Sequence, residues 1–120
     1  MMLFYSLFRD DPRMIAVRAG TELFREGDPA DLMYVLTKGE ARILVGQHEV
    51  EKLGLGAIVG EMALIDNQPR SATVAAVTDC EFVCVDEKRF KFLVTETPGF
   101  ALGVMRVLAD RLRSADQLIA

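Results

Sequence analysis

The sequence predicts an all-β roll or barrel followed by a helical tail, and three observations predict it. From Arg18 to Val85 short β-branched or apolar stretches are separated by Gly20, Gly27, Gly39, Gly46, Gly54, Gly56 and Gly60, a glycine density that reads as tight turns between strands. After Pro98 the apolar period changes from two to 3.6, as in an amphipathic helix. A chain of 120 residues can bury one core but is short for a two-lobed enzyme. We therefore expect a single domain over 1–120, with the roll at about 17–86 and C-terminal helices at about 87–118.

The opening "MMLFYSLF" is apolar for eight residues only, lacks a positive leading region and is followed closely by an acidic pair. It reads as a short helical segment rather than a signal peptide. "MYVLTKG" predicts a strand ending in a turn at Lys38-Gly39, with "EARILVG" as its hairpin partner. "EVEKLGLG", "SATVAAVT" and "EFVCVD" supply further strands. "EKRFKFLVTETP" reads as a shorter helix ended at Thr97, because the residue before a proline is biased out of the α region. Beyond it Ala101, Met105, Leu108, Leu112, Ala115 and Ile119 form an apolar row at helical spacing, with Arg106, Asp110, Arg111 and Arg113 mostly opposite. That row predicts packing against the roll in cis, and a homodimer seam is the second reading.

Composition excludes several function classes. Half the residues are hydrophobic (51%) and about a quarter charged (27%), which is ordinary globular usage. The net charge is −4 with Lys and Arg scattered, so no basic stripe marks a nucleic-acid interface. No run approaches membrane-spanning length, and a cytoplasmic protein with no membrane partner is expected. Cys80 and Cys84 cannot supply the four thiolates of an iron–sulfur cluster and read as buried free thiols. His48, the single histidine, reads as a solvated loop residue; a metal-dependent β-barrel enzyme of cupin type would need several. No nucleophile–base pair or metal constellation is visible, so neither turnover nor a cofactor is expected. The six methionines are dispersed core filler.

The stretch "VGEMALIDNQPRSATV", residues 59–74, carries the chemistry. It places Glu61 and Arg70 alone in apolar and turn-forming surroundings. Gly60 leads into good helix formers, so a single helical turn with free backbone N–H groups is expected. "DNQP" is turn chemistry that returns Arg70 over that turn. Arg70 can donate a two-pronged bond to phosphate oxygens, Ser71 adds a hydroxyl, and Glu61 accepts only, as a sugar hydroxyl requires. These groups suit a phosphorylated ribose. A plain Glu61–Arg70 salt bridge inside the roll explains the same two residues, since an unpaired charge is costly to bury.

"GEMALIDNQPRSATV" resembles the phosphate-binding cassette of cyclic-nucleotide-binding domains, as found in catabolite activator proteins, regulatory subunits of cyclic-AMP-dependent protein kinase and cyclic-nucleotide-gated channels. Gly60, Glu61, Ala63, Leu64, Arg70, Ser71 and Ala72 match the pattern, and "GTELFREGDPADLMYVLTKGEARI" is similar to the family's opening strands with their glycines, here Gly27 and Gly39. The likeness covers roughly residues 17–114. It implies a jelly-roll-like β-barrel (double-stranded β-helix) with short flanking helices, acting as a sensory module for cAMP or cGMP. By the resemblance Glu61 accepts the ribose 2′-hydroxyl, and Arg70 and Ser71 hold the cyclic phosphate with N–H groups near Gly60, Met62 and Ala72. Leu64 and Val74 line the apolar pocket beside Ala63.

Two departures stand out. Full-length bacterial regulators of this kind continue into a helix-turn-helix domain, and no recognition helix occurs in these 120 residues. Ala115 and Asp116 fall where the activators carry hydroxyl residues that cap the purine. The expectation is a monomer or weak homodimer with an unidentified effector protein. An interaction scaffold that keeps the fold without the ligand is the alternative.

Overall fold

The computed structural model describes the backbone of residues 2–119 and the side chains of residues 3–114. Helix α1 (Met2–Phe8) leads into β1 (Met14–Val17), β2 (Glu22–Phe24), β3 (Met33–Lys38), β4 (Ala41–Val45), β5 (His48–Leu53) and β6 (Ile58–Val59). A short helix, α2 (Met62–Asp66), precedes β7 (Thr73–Ala76) and β8 (Cys80–Val85), and the helices α3 (Glu87–Glu96) and α4 (Pro98–Ile119) follow. The strands form two antiparallel four-stranded sheets, ordered β1-β8-β3-β6 and β2-β7-β4-β5. This is the expected jelly-roll with short helices and a C-terminal helix.

Alternation along β8 explains why the roll has two cores. "CEFVCV" is apolar at every position but Glu81, the pattern of a strand covered on both faces. Cys80 and Phe82 point between the sheets with Leu36, Val59 and Val74. Val83 and Val85 point the other way, into a layer with Met33 and Val35 of β3 and the helical residues Phe4, Phe8, Phe100 and Val104. Cys80 is buried, Cys84 half-buried, and both are free thiols.

The expected β3–β4 hairpin does not form. β3 pairs with β6 and β8, whereas β4 pairs with β5 and β7, so the turn at Gly39 carries the chain from one sheet to the other. Gly39 sits at φ 88°, and a Cβ there would lie 2.2 Å from the carbonyl oxygen of Asp79. Two corners pack together at this point: Glu40 N–H donates to the Thr78 hydroxyl and Val77 N–H donates to the Glu40 carbonyl. A turn signal marks where a chain reverses but not whether the next strand pairs locally. The actual hairpin is β4–β5, closed at Val45 and His48.

The C-terminal helix also presents a different face from the expected row. Phe100 is fully buried in edge-to-face contact with Phe4, Phe8 and Phe90, at ring-centroid distances of 5.7, 6.2 and 5.8 Å. Gly103 lets the Phe4 ring approach, since a Cβ there would stand 3.0 Å from it. The buried row is therefore Phe100, Gly103 and Val104, continued by the half-buried Val107, Leu108 and Arg111. Met105 and Leu112 are 61% and 64% exposed. α4 is apolar enough on two sides to leave its rotation open, and the aromatic cluster decides it; each such pair contributes about 0.5–1.5 kcal/mol beyond area burial. Ala115, Asp116 and Ile119 lie outside the described side chains.

The α3 helix is capped by the Asp86 carboxylate, which accepts from Arg89 N–H at 2.9 Å. The Arg89 side chain reaches Asp11 in a largely buried ion pair and lies 5.1 Å over the Phe8 ring, which ties α3 to the end of α1. Among the described residues no single helix is long and apolar enough to cross a membrane.

Candidate functional site

The stretch that follows β6 is shaped by three backbone devices. Gly60 adopts φ 79°, in the left-handed region that favours glycine. α2 then makes a little more than one turn and ends at Asn67, whose φ of 56° is the left-handed cap asparagine tolerates. The returning loop is pinned across the sheet: Gly27 N–H donates to the Arg70 carbonyl at 2.8 Å, and Arg70 N–H donates to the Asp28 carbonyl at 2.9 Å. The Arg70 side chain turns back toward Gly60, with Nη1 3.4 Å from the Gly60 carbonyl oxygen. A Cβ on Gly60 would stand 2.4 Å from that nitrogen, so glycine is needed there for space as well as for its torsion.

The expected residues do not all occupy equivalent places. Glu61 is 3% exposed at the head of α2, and Arg70 is 7% exposed; of the two side chains, that of Arg70 reaches the Gly60 carbonyl. Ser71 is exposed and Ala72 half-buried, immediately beyond Arg70. Ala63 is buried, Met62 points outward, and Leu64 packs into the helix-facing core with Phe90 and Leu93. Val74 is fully buried in the core between the sheets. Of the backbone donors in α2, Ala63 N–H and Leu64 N–H already bond the carbonyls of Gly60 and Glu61.

The Glu61–Arg70 salt bridge is not what the structure contains. Glu61 Oε1 accepts from Arg111 Nη1 at 2.8 Å. Arg111, from α4, also donates through Nη2 to the Ile58 carbonyl at 2.7 Å and forks onto Glu51 of β5 at 3.0 and 3.2 Å. Burial alone would lower the Arg111 pKa, but the hydrogen bonds and charges of Glu51 and Glu61 outweigh it and raise the value. Arg70 shows the opposite balance. Burial lowers its pKa, only partly opposed by Tyr34, Asp31 and Asp28, and among the described residues no carboxylate pairs with it within 4.0 Å. Two buried atoms have no hydrogen-bond partner here: Glu61 Oε2 and Arg70 Nε. An unsatisfied buried acceptor and a buried cation only partly compensated are each costly, and together they match a ligand that carries a hydroxyl and a negative charge.

Sequence reasoning missed Arg111 and Glu51. Arg111 reads as lying opposite the apolar row, whereas it continues the buried row after Val104 and Val107 at helical spacing; a lone arginine in that phase was the available signal. Glu51 sits in the polar run "HEVEK", which distinguishes it in no way from Glu49. Phe24 and Tyr34, whose rings lie 4.1 and 5.6 Å from the Arg70 guanidinium carbon, read only as strand residues. Among the described residues no group of His, Cys, Asp and Glu could hold a metal ion.

A family model described as cyclic nucleotide-binding domain matches residues 14–97. The chain is 34% identical over 100 residues to a cyclic nucleotide-gated potassium channel of Rhizobium etli, covering 83% of this chain and 27% of the channel. Among solved structures it is similar to the Thermus thermophilus catabolite activator protein, with a TM-score of 0.78 and 30% identity over 98% of this chain and 56% of that one. It is similar as well to an EAL enzyme solved in a cGMP-bound form, with a TM-score of 0.64 and 36% identity over 87% of this chain and 29% of that one. The same enzyme has a cAMP-bound form. The chain thus spans less than half the length of the curated relatives it matches first.

Proposed function

The chain belongs to the cyclic nucleotide-binding domain family, and from that premise we propose that it binds cAMP or cGMP without transforming it and relays occupancy to α4. The observation that carries this reading is the pair of buried atoms left without a hydrogen-bond partner in one loop, Glu61 Oε2 and Arg70 Nε. A ribose 2′-hydroxyl donates to Glu61 Oε2. The cyclic phosphate takes the free edge of Arg70, with the Ser71 hydroxyl and the N–H groups near Gly60, Met62 and Ala72 as further donors. Charge-assisted bonds of this kind are worth about 1.5–3 kcal/mol each, enough for selective binding of an anion. Ala63, Leu64 and Val74 belong to the apolar surroundings of the site.

The relay follows from Glu61 having two oxygens with different owners. One is held by Arg111 of α4, and the other is offered to the ligand. Occupying the second oxygen changes the charge and position of the first, and Leu64 conveys movement of α2 to Phe90 and Leu93 of α3. A ligand shifts a conformational equilibrium only by differential contacts of this sort. The module acts in the cytoplasm on an effector protein, as a monomer or weak homodimer.

Isothermal titration with cAMP, cGMP and linear AMP tests the binding, and amide exchange across residues 99–114 tests the relay. The cyclic nucleotides should bind and linear AMP should bind far more weakly, with α4 protection changing on saturation. Absence of binding by both cyclic nucleotides would favour the scaffold reading. Binding with unchanged α4 protection would remove the relay alone.

A further inference from the structure

Arg70 is a buried cation with two aromatic rings beside it and no carboxylate within 4.0 Å among the described residues, Asp31 and Asp28 acting on it only from farther away. Its guanidinium carbon lies 4.1 Å from the centroid of Phe24, a β2 residue, and 5.6 Å from that of Tyr34, a β3 residue. The two rings come from different sheets and stand 6.0 Å apart at an interplanar angle of 34°. Phe82 supports Tyr34 edge-to-face at 6.3 Å. An aromatic face attracts a cation through its quadrupole, most strongly where water is excluded. A ring face consumes none of the N–H donors on the guanidinium edge, although the Tyr34 hydroxyl, besides its ring, acts on Arg70 and works to raise its pKa against the effect of burial. A carboxylate would do the reverse, taking the two-pronged edge and cancelling the charge.

We propose that Phe24 and Tyr34 are positioning residues that stand in for a counter-ion, holding Arg70 in place with its charge and its donor edge unspent until an anionic group of the ligand arrives. The proposal rests on the reading of the site as a cyclic nucleotide site for the identity of the anion, a phosphodiester. It assigns the affinity of the charged half of the ligand to two residues outside the cassette, neither of which touches the ligand. The rings fix the plane of the guanidinium, and the Gly60 carbonyl, 3.4 Å from Nη1, sets its rotation within that plane.

The test has a ligand-free arm and a ligand arm. In the first, Phe24→Leu, Arg70→Met and the double variant are melted without nucleotide. Phe24→Leu should lower the melting temperature by several degrees more when Arg70 is present than when it is methionine; equal shifts in both backgrounds would overturn the ring–cation contact. In the second, titration with cAMP and cGMP should show Phe24→Leu weakened roughly fivefold to twentyfold, with Phe24→Tyr within about twofold of wild type because it keeps the ring. Adenosine and guanosine, which lack the phosphate, should bind Phe24→Leu and wild type alike. Equal weakening for nucleoside and nucleotide, or no weakening for either, would overturn the positioning role. If the wild-type chain bound neither cyclic nucleotide, the preceding functional reading would fail and the melting arm alone would decide this one.

Discussion

Arg111 Nη1 lies 2.8 Å from Glu61 Oε1, a contact that joins the last helix to the head of α2 across fifty residues of sequence. The Glu61 side chain is 4% exposed and that of Arg111 24%, so removing the arginine leaves a buried carboxylate without its cationic partner. Losing one partner of a fully buried pair costs about 3–5 kcal/mol. With Arg111 partly open to solvent, Arg111→Met should destabilise the ligand-free chain by about 2 kcal/mol. Adding Glu61→Gln should recover part of that loss. Urea denaturation of the two single variants and the double variant measures the coupling, and strict additivity would show that the pair contributes nothing to stability.

Arg70→Lys should leave the fold intact and weaken cyclic nucleotide binding by about 1.5–3 kcal/mol. Lysine keeps the charge but loses the planar fork that matches two phosphate oxygens, and it loses the flat face that stacks on Phe24. A variant with reduced stability and unchanged affinity, measured by melting and titration together, would instead mark Arg70 as purely structural.

Gly60→Ala combines two penalties. A non-glycine residue at φ 79° costs about 1–2 kcal/mol, and the new Cβ would sit 2.4 Å from Arg70 Nη1, forcing the guanidinium to move. The expected outcome is a stability loss of about 2 kcal/mol together with a loss of nucleotide affinity. A stability loss with full affinity would show that the guanidinium serves the ligand equally well from a shifted position.

Acid should weaken the attachment of α3 to the N-terminal segment. Burial alone would raise the Asp11 carboxyl, but hydrogen bonds from the Arg89 side chain and the Arg13 backbone, with their charges, outweigh it and hold the group below its ordinary 3.8. Because the folded value is the lower one, the unfolded chain binds more protons in this range, and stability rises with pH. The contribution is complete above the unfolded value of about 3.9 and is lost as pH falls through the folded one. Asp11→Asn should be less stable by about 1.5 kcal/mol at neutral pH and should show a flatter stability profile between about pH 5 and pH 2. Parallel profiles for the two proteins would separate Asp11 from the acid response.

Much of the molecule was legible from residues close together in the chain. Glycine-separated apolar stretches located β3, β4, β5, β7 and β8, because alternation and turn chemistry are local properties. The helix ending before Pro98 and the short turn after Gly60 follow from proline sterics and glycine torsion in the same way. The cassette was readable for a related reason: Gly60, Glu61, Arg70 and Ser71 lie within one short loop, so their spacing already limits what they can reach.

What the sequence by itself determined, then, was the class of fold and the single helical turn followed by a tight return in the "GEMALIDNQPRS" loop, both set by interactions a few residues long. Only the tertiary structure decided that β3 and β4 belong to different sheets, because a turn reverses the chain without choosing a partner. The rotation of α4 was likewise settled by the Phe4, Phe8, Phe90 and Phe100 rings, since both sides of that helix are apolar enough to be buried. That rotation brings Arg111 to Glu61, and the meeting of β2 with β3 brings Phe24 and Tyr34 to Arg70. A direct bond between the two charges nine residues apart was one of two readings of that loop. Which partner each one has depends on which distant element arrives beside it, and a buried charge responds to its neighbours in space.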